Sequence, residues 1–240
     1  MKKAIIVGGT SGIGQGLCKI LISNNYKVCI TGVKRDLIED LQKSGDDNLK
    51  VKYLNGIKDS NSEKIIELVE MLGGLDLLIF SAGIGNLNED LGFEIENKAN
   101  QLNVLAFTEI ADWSYRFFEK QGHGHFVAIS SISGLLGNGN APAYHAAKSY
   151  QITYLEGLRQ NARRARKNGT PIFVTDIRPG FVMTPMTEGK KMVWAATTEK
   201  AAKQIFKLIN KKKGYGYITT RWWLVAVIIK ILPPWIRNRI

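Results

Sequence analysis

Ala4-Ile5-Ile6-Val7-Gly8-Gly9-Thr10-Ser11-Gly12-Ile13-Gly14 passes from an unbroken apolar run into a glycine-rich turn. Four apolar residues without polar alternation describe a strand covered on both faces. The helical period then begins at Gly14 and runs to Asn24. Gly8, Gly12 and Gly14 have the spacing G-x-x-x-G-x-G. Glycines there let the chain turn tightly and bring its backbone close to a pyrophosphate. The helix that follows meets the anion with free N–H groups and the positive end of its dipole. Strand, glycine turn and helix together predict a dinucleotide site.

The same alternation continues outward from this stretch. Candidate strands are Lys27–Thr31, Val51–Leu54, Leu75–Phe80, His125–Ser130 and Ile172–Ile177, with a weaker one at Tyr217–Thr219. Helical period fills Asp36–Lys43, Ser62–Leu72, Glu94–Lys120, Ala143–Lys167 and Thr198–Lys211. Strands rich in Val, Ile, Leu and Phe, alternating with helices, predict an α/β fold: a Rossmann-type doubly wound parallel sheet in a single domain. Residues 1–220 carry that pattern, and 221–240 form a separate apolar and basic segment.

Composition agrees with one large globular domain of 240 residues, 45% hydrophobic and 22% charged. The 33 basic and 21 acidic residues leave a net charge of +12, which favours anionic partners without choosing among them. Cys18 and Cys29 lie inside apolar segments and read as buried thiols of a reducing compartment. The first apolar run is too short for a signal peptide, and no run approaches the roughly 20 residues of a membrane span. A cytoplasmic protein, with room for membrane association, is the expectation.

Tyr144 and Lys148 stand four residues apart on a predicted helix, so they share a face. A lysine cation favours the phenolate and is expected to pull the tyrosine below its usual range. Ser131 precedes the tyrosine by thirteen residues, at a strand end, where its hydroxyl is placed to hold a carbonyl or alcohol oxygen. The trio is a device for moving a proton on and off oxygen.

Several motifs, in order and in register over about residues 1–210, resemble those of the short-chain dehydrogenase/reductase family. They are the Gly8-x-x-x-Gly12-x-Gly14 turn, Ser81-Ala82-Gly83 after the fourth strand, Asn103 on the long helix, the Ser131/Tyr144/Lys148 trio, and Pro179-Gly180-Phe181-Val182-Met183-Thr184 after the sixth strand. The resemblance implies reversible carbonyl reduction, with Tyr144 as general acid in reduction and base in oxidation. Lys148 would lower the Tyr144 pKa and bind the nicotinamide ribose, and Ser131 would bond the substrate oxygen. Asn103 would support a water leading protons outward. The implied cofactor contacts are Gly8, Thr10, Ser11, Gly12, Ile13, Gly14, Lys34, Arg35, Ile57, Ser81, Ala82, Gly83, Tyr144, Lys148, Pro179, Gly180, Val182 and Thr184. A catalytically silent NADP(H)-binding regulatory protein is the alternative, and the complete catalytic set argues against it.

The second strand ends Ile30-Thr31-Gly32-Val33-Lys34-Arg35, with no acid before Asp36. An acid there would bond a ribose 2′-hydroxyl, whereas two cations suit a 2′-phosphate, so NADP(H) is favoured over NAD(H). The chain also departs from the family. Val7 replaces the usual Thr, Phe80 and Ser81 replace paired asparagines, and Gly56 takes the place of an adenine-contacting Asp, with Asp59 close by.

Met186, Met192, Val193 and Trp194 follow Thr184 and are expected to line an apolar pocket for a hydrophobic carbonyl or alcohol substrate. Trp222–Ile229 is apolar all round, punctuated by Arg221, Lys230, Arg237 and Arg239. Burial against the pocket or another subunit is the leading expectation for it, and contact with an anionic membrane surface is the second. By analogy with relatives, helices 94–120 and 143–167 would pair in a homo-oligomer. The basic run Arg159, Arg163, Arg164, Arg166 and Lys167 reads as cations at a helix C-terminus, so no specific nucleic-acid partner is expected. His123 and His125 read as loop and strand residues, with no metal.

Overall fold

In the computed structural model, which describes residues 1–43, 45–187, 189, 192 and 194–237, strand β1 (Lys2–Val7) is an inner strand of a seven-stranded sheet. The others are β2 (Tyr26–Gly32), β3 (Leu49–Tyr53), β4 (Leu77–Phe80), β5 (Gly124–Ile129), β6 (Ile172–Pro179) and β7 (Tyr215–Ile218). Their order is β3-β2-β1-β4-β5-β6-β7, with every pairing parallel.

The unalternating apolar strands have the expected cause, because each sends successive side chains into two different cores. Ile5 and Val7 of β1, with Leu78 and Phe80 of β4, enter one core. That core is closed by α3 (Asn61–Leu72), α5 (Phe107–Gln121) and α6 (Pro142–Lys167). Ala4, Ile6, Leu77 and Ile79 enter the other, beneath α1 (Gly12–Ser23), α2 (Arg35–Gln42) and α7 (Thr198–Asn210). Phe80, Phe107, Phe118 and Phe126 are wholly buried in the first core. Each is worth roughly 1.5–3 kcal/mol relative to an exposed ring. Phe107 meets Phe80 edge to face at 5.4 Å.

The strand order reverses between β1 and β4. In such a sheet the crevice lies beyond the strands' carboxyl ends at that reversal. Gly8, Ser81 and Ser131 each follow the end of one of these central strands.

The predicted continuous helix 94–120 is instead three segments. It begins with α4 (Phe93–Asn100), loosens into a π-helical stretch (Gln101–Ala106) and continues as α5. A π-turn inserts an extra residue into the helix, and such turns cluster at functional sites. Asn103 lies inside it. After β7 come α8 (Trp222–Ile231) and the short α9 (Pro234–Arg237). Among the described residues no helix is long and apolar enough to cross a membrane.

Candidate active site

The glycine turn is held by contacts that leave no room for side chains. Gly8 has φ +82°, and a Cβ there would stand 2.6 Å from the Ala82 nitrogen. A Cβ on Gly14 would fall 2.2 Å from the Gly8 carbonyl oxygen. The Gly8–Gly14 turn thus packs directly on the Ser81-Ala82-Gly83 segment and on itself, and α1 starts at the mouth of a cavity of about 530 Å³.

Of the predicted cofactor residues, Gly8, Thr10, Ser11, Gly12, Ile13, Lys34 and Ile57 line one part of this cavity. Ser81, Ala82, Gly83, Pro179, Gly180, Val182 and Thr184 line the rest, together with Ser131, Tyr144 and Lys148. The cavity fits a dinucleotide in a second respect. The Thr31 hydroxyl, on its wall beside Lys34, is buried without a hydrogen-bond partner. A buried hydroxyl left unbonded is costly, and a ligand hydroxyl or phosphate oxygen would satisfy it.

Two predicted contacts are absent from the wall. Gly14 is spent on packing against Gly8. The Arg35 guanidinium sits 5.2 Å from the centre of the Tyr53 ring, drawn there because β3 pairs beside β2 and presents an aromatic face. On the adenine side, Gly56 lines the cavity, whereas the Asp59 carboxylate accepts a hydrogen bond from the Asn55 N–H and braces the loop.

Ser131 caps a 3-10 turn (Ile132–Leu135) by accepting from the Ser133 N–H at 3.1 Å. That fixes the oxygen and leaves the hydroxyl proton to be donated. Tyr144 and Lys148 lie on the first turns of α6, with the Lys148 ammonium 5.9 Å from the Tyr144 ring centre. Burial pushes the Tyr144 phenol above its ordinary value, opposed by a hydrogen bond from Ser131. The expected depression of that phenol by Lys148 is therefore not what this geometry produces. Desolvation acts on Lys148 too and brings it down to about 8, against the pull of Asp176.

Lys148 donates to the Ile129 carbonyl at 3.1 Å and to Gln151 Oε1 at 3.0 Å. The Gln151 amide in turn donates to the Asn103 carbonyl at 2.8 Å. The π-turn presents that carbonyl by diverting the Asn103 side chain, which exchanges two hydrogen bonds with the backbone of Ile84. Asn103 is wholly buried and does not line the cavity. A side-chain amide thus links Lys148 to Asn103. Gln151 was missed in the sequence, although its place three residues after Lys148 puts both on one helical face.

His145 donates from Nδ1 to the Leu136 carbonyl, 2.8 Å away, and serves the loop beside the helix. His125 is buried against the Thr175 hydroxyl at 2.8 Å. Both cysteines are buried, which pushes each thiol up to about 12 and leaves it unreactive. Of the predicted pocket residues after Thr184, Met186 lines the cavity. Trp194 is half exposed, its ring 6.1 Å from Trp222, and Val193 lies outside the described residues.

Residues 2–194 match the model of the short chain dehydrogenase family. The chain belongs to that family. Membership makes this short chain dehydrogenase an NAD(P)-dependent oxidoreductase. An uncharacterised oxidoreductase of Mycobacterium tuberculosis is 27% identical over 99% of this chain and 96% of its own length. The 3-oxoacyl-acyl-carrier-protein reductase of Escherichia coli is 29% identical over 78% of this chain and 75% of its own. Among solved structures, LigD from Sphingobium superposes with a TM-score of 0.80 at 21% identity, over 97% of this chain and 98% of LigD. ElxO with NADP bound has a TM-score of 0.75 at 25% identity, over 89% and 95% of the two chains. The family match over residues 2–194 spans the glycine turn, the Tyr144 helix and strands β1 to β6.

Proposed function

We propose that this short chain dehydrogenase uses NADP(H) to interconvert a carbonyl and an alcohol on an apolar substrate, with Tyr144 exchanging the proton. The observation that carries this reading is convergence. Ser131, Tyr144 and Lys148 face into the cavity whose wall is the glycine turn. The bound nicotinamide supplies or takes up the hydride.

In reduction the Tyr144 hydroxyl gives its proton to the substrate oxygen while Ser131 donates a hydrogen bond to the same atom. A phenol raised by burial is protonated at neutral pH and serves as an acid. Lys148 places its ammonium beside the phenolate that forms and stabilises it. Gln151 and the Ile129 carbonyl hold that ammonium in position. In oxidation the same groups run in reverse, with the phenolate accepting the proton.

The preference for NADP(H) is supported by Lys34 on the cavity wall and by the lack of any acid from Thr31 to Arg35. Arg35, one residue further, adds charge from its place on Tyr53. The apolar substrate is supported by Ile84, Leu102, Val182 and Met186 around the cavity. Self-association through α5 and α6 is supported by the stacked Tyr150–Tyr154 and Trp113–Phe117 pairs and by exposed Leu105. The segment 221–240 is read as a surface contact of the protein.

The test is NADPH consumption across a panel of aldehydes and ketones graded in polarity. Turnover rising with substrate apolarity, and faster with NADPH than with NADH, is expected. Tight NADPH binding with no turnover on any carbonyl would make the protein a silent cofactor binder.

A further inference from the structure

Helix α8 is apolar on every side yet buries only one stripe. Trp222, Ala226 and Ile229 face the protein, where the Trp222 ring stands 5.5 Å from Phe181. The ring lies so close over Gly180 that a Cβ there would overlap it at 2.1 Å. α8 is therefore docked firmly beside the loop that follows β6, and its orientation is set. The outward face then presents Trp223, Leu224, Val227, Ile228 and Ile231, from 37% to 74% exposed, with Trp235 following at 63%. Apolar exposure on this scale in one element marks an interaction surface. Within the chain itself, burial of the segment against the protein covers one stripe of α8.

Charge identifies the partner. From Lys200 to Ile240 there are ten lysines and arginines and no acidic residue, so this stretch carries +10 of the net +12. Lys211, Lys212 and Lys213 precede β7, Arg221 precedes α8 and Lys230 lies in its last turn, all on the surface. A second copy would bring the same cations against them. Apart from two donors, the Trp223 indole N–H and the Lys230 ammonium, the outward face of α8 offers no polar side chain for directional pairing with another protein. Apolar area combined with surrounding cations and tryptophans matches the boundary between headgroups and acyl chains.

We infer that the outer face of α8 docks this protein on an anionic lipid surface, lying in the interface without crossing it. The inference uses none of the catalytic assignment, and its test uses no turnover. Because Trp222 links α8 to the Gly180 loop, docking places the cavity mouth near the bilayer, where an apolar substrate would concentrate.

The test is flotation of the full chain with vesicles of phosphatidylcholine alone or with phosphatidylglycerol added. The variant Trp223→Ser/Leu224→Ser/Ile228→Ser changes exposed residues only. Its fold is checked by circular dichroism and NADPH binding, and its assembly by light scattering. Wild type is expected to bind the anionic vesicles at least about tenfold better than neutral ones, losing most of the difference in high salt. The triple variant is expected to lose about tenfold in binding while keeping fold and assembly state. Equal binding to both vesicle types, or by both proteins, would overturn the proposal. So would dissociation of an oligomer in the variant with vesicle binding unchanged, which would make α8 a subunit contact.

Discussion

Gln151 bridges Lys148 to the Asn103 carbonyl, accepting from the ammonium at 3.0 Å and donating to the carbonyl at 2.8 Å. All three residues are buried. An amide in this place ties the lysine to the Asn103 carbonyl through one directional bond at each end. Removing it in Gln151→Leu leaves two buried polar groups short of a partner. The expected result is a loss of about tenfold in kcat with NADPH affinity much less affected. Gln151→Glu sets a carboxylate beside Lys148 and should raise its pKa. A fall in activity as Lys148 deprotonates, through about 8 in the free protein, should then move to higher pH. A packing role alone would leave the pH profile where it was.

Lys34 lines the cavity at the end of β2, with no acid between it and Thr31. In Lys34→Asp the ratio of kcat/KM for NADPH over NADH should fall about tenfold or more, since a charge-assisted phosphate contact becomes a repulsion. An unchanged ratio would move the 2′-phosphate site elsewhere.

Gly8→Ala tests the turn. Its φ of +82° is strained for alanine, and the new methyl would meet the Ala82 backbone. A loss of about 1–3 kcal/mol in folding stability is expected, with NADPH binding weakened, measured by urea denaturation and titration. A fully stable variant that binds NADPH normally would show that the turn has room the geometry denies.

His125 sets an acid limit on stability. Burial lowers its pKa from 6.5 to about 3, so the folded chain holds the ring neutral where the unfolded chain protonates it. The unfolded state therefore binds more protons between those values, and stability falls as pH drops through that window. By about pH 5 the loss should reach about 2 kcal/mol. In His125→Gln, urea midpoints should vary less with acidification; an identical slope would assign the effect to carboxylates.

Much of this was legible in the sequence, for definable reasons. The parallel sheet announced itself because strands covered on both faces cannot alternate, as in Ala4–Val7. The Tyr144/Lys148 spacing was legible because the helix itself sets which side chains share a face. The π-turn at Gln101–Ala106 was not, since apolar residues on both sides keep a helical period through it. Arg35 was misplaced because its partner, Tyr53, lies on another strand and only pairing of β2 with β3 brings them together. The Tyr144 phenol was read from its charged neighbour alone, whereas burial, a property of the whole fold, dominates it. α8 split into a buried and an exposed face through the contact of Trp222 with Gly180, which no local pattern encodes.

The most direct measurement is the rate of NADPH oxidation by Tyr144→Phe with an apolar ketone that the wild type reduces. NADPH binding should persist, because the glycine turn and Lys148 are untouched. The value of kcat should fall by about a hundredfold to ten-thousandfold, the usual contribution of a positioned general acid. Turnover equal to that of the wild type would contradict the assignment of the proton to Tyr144.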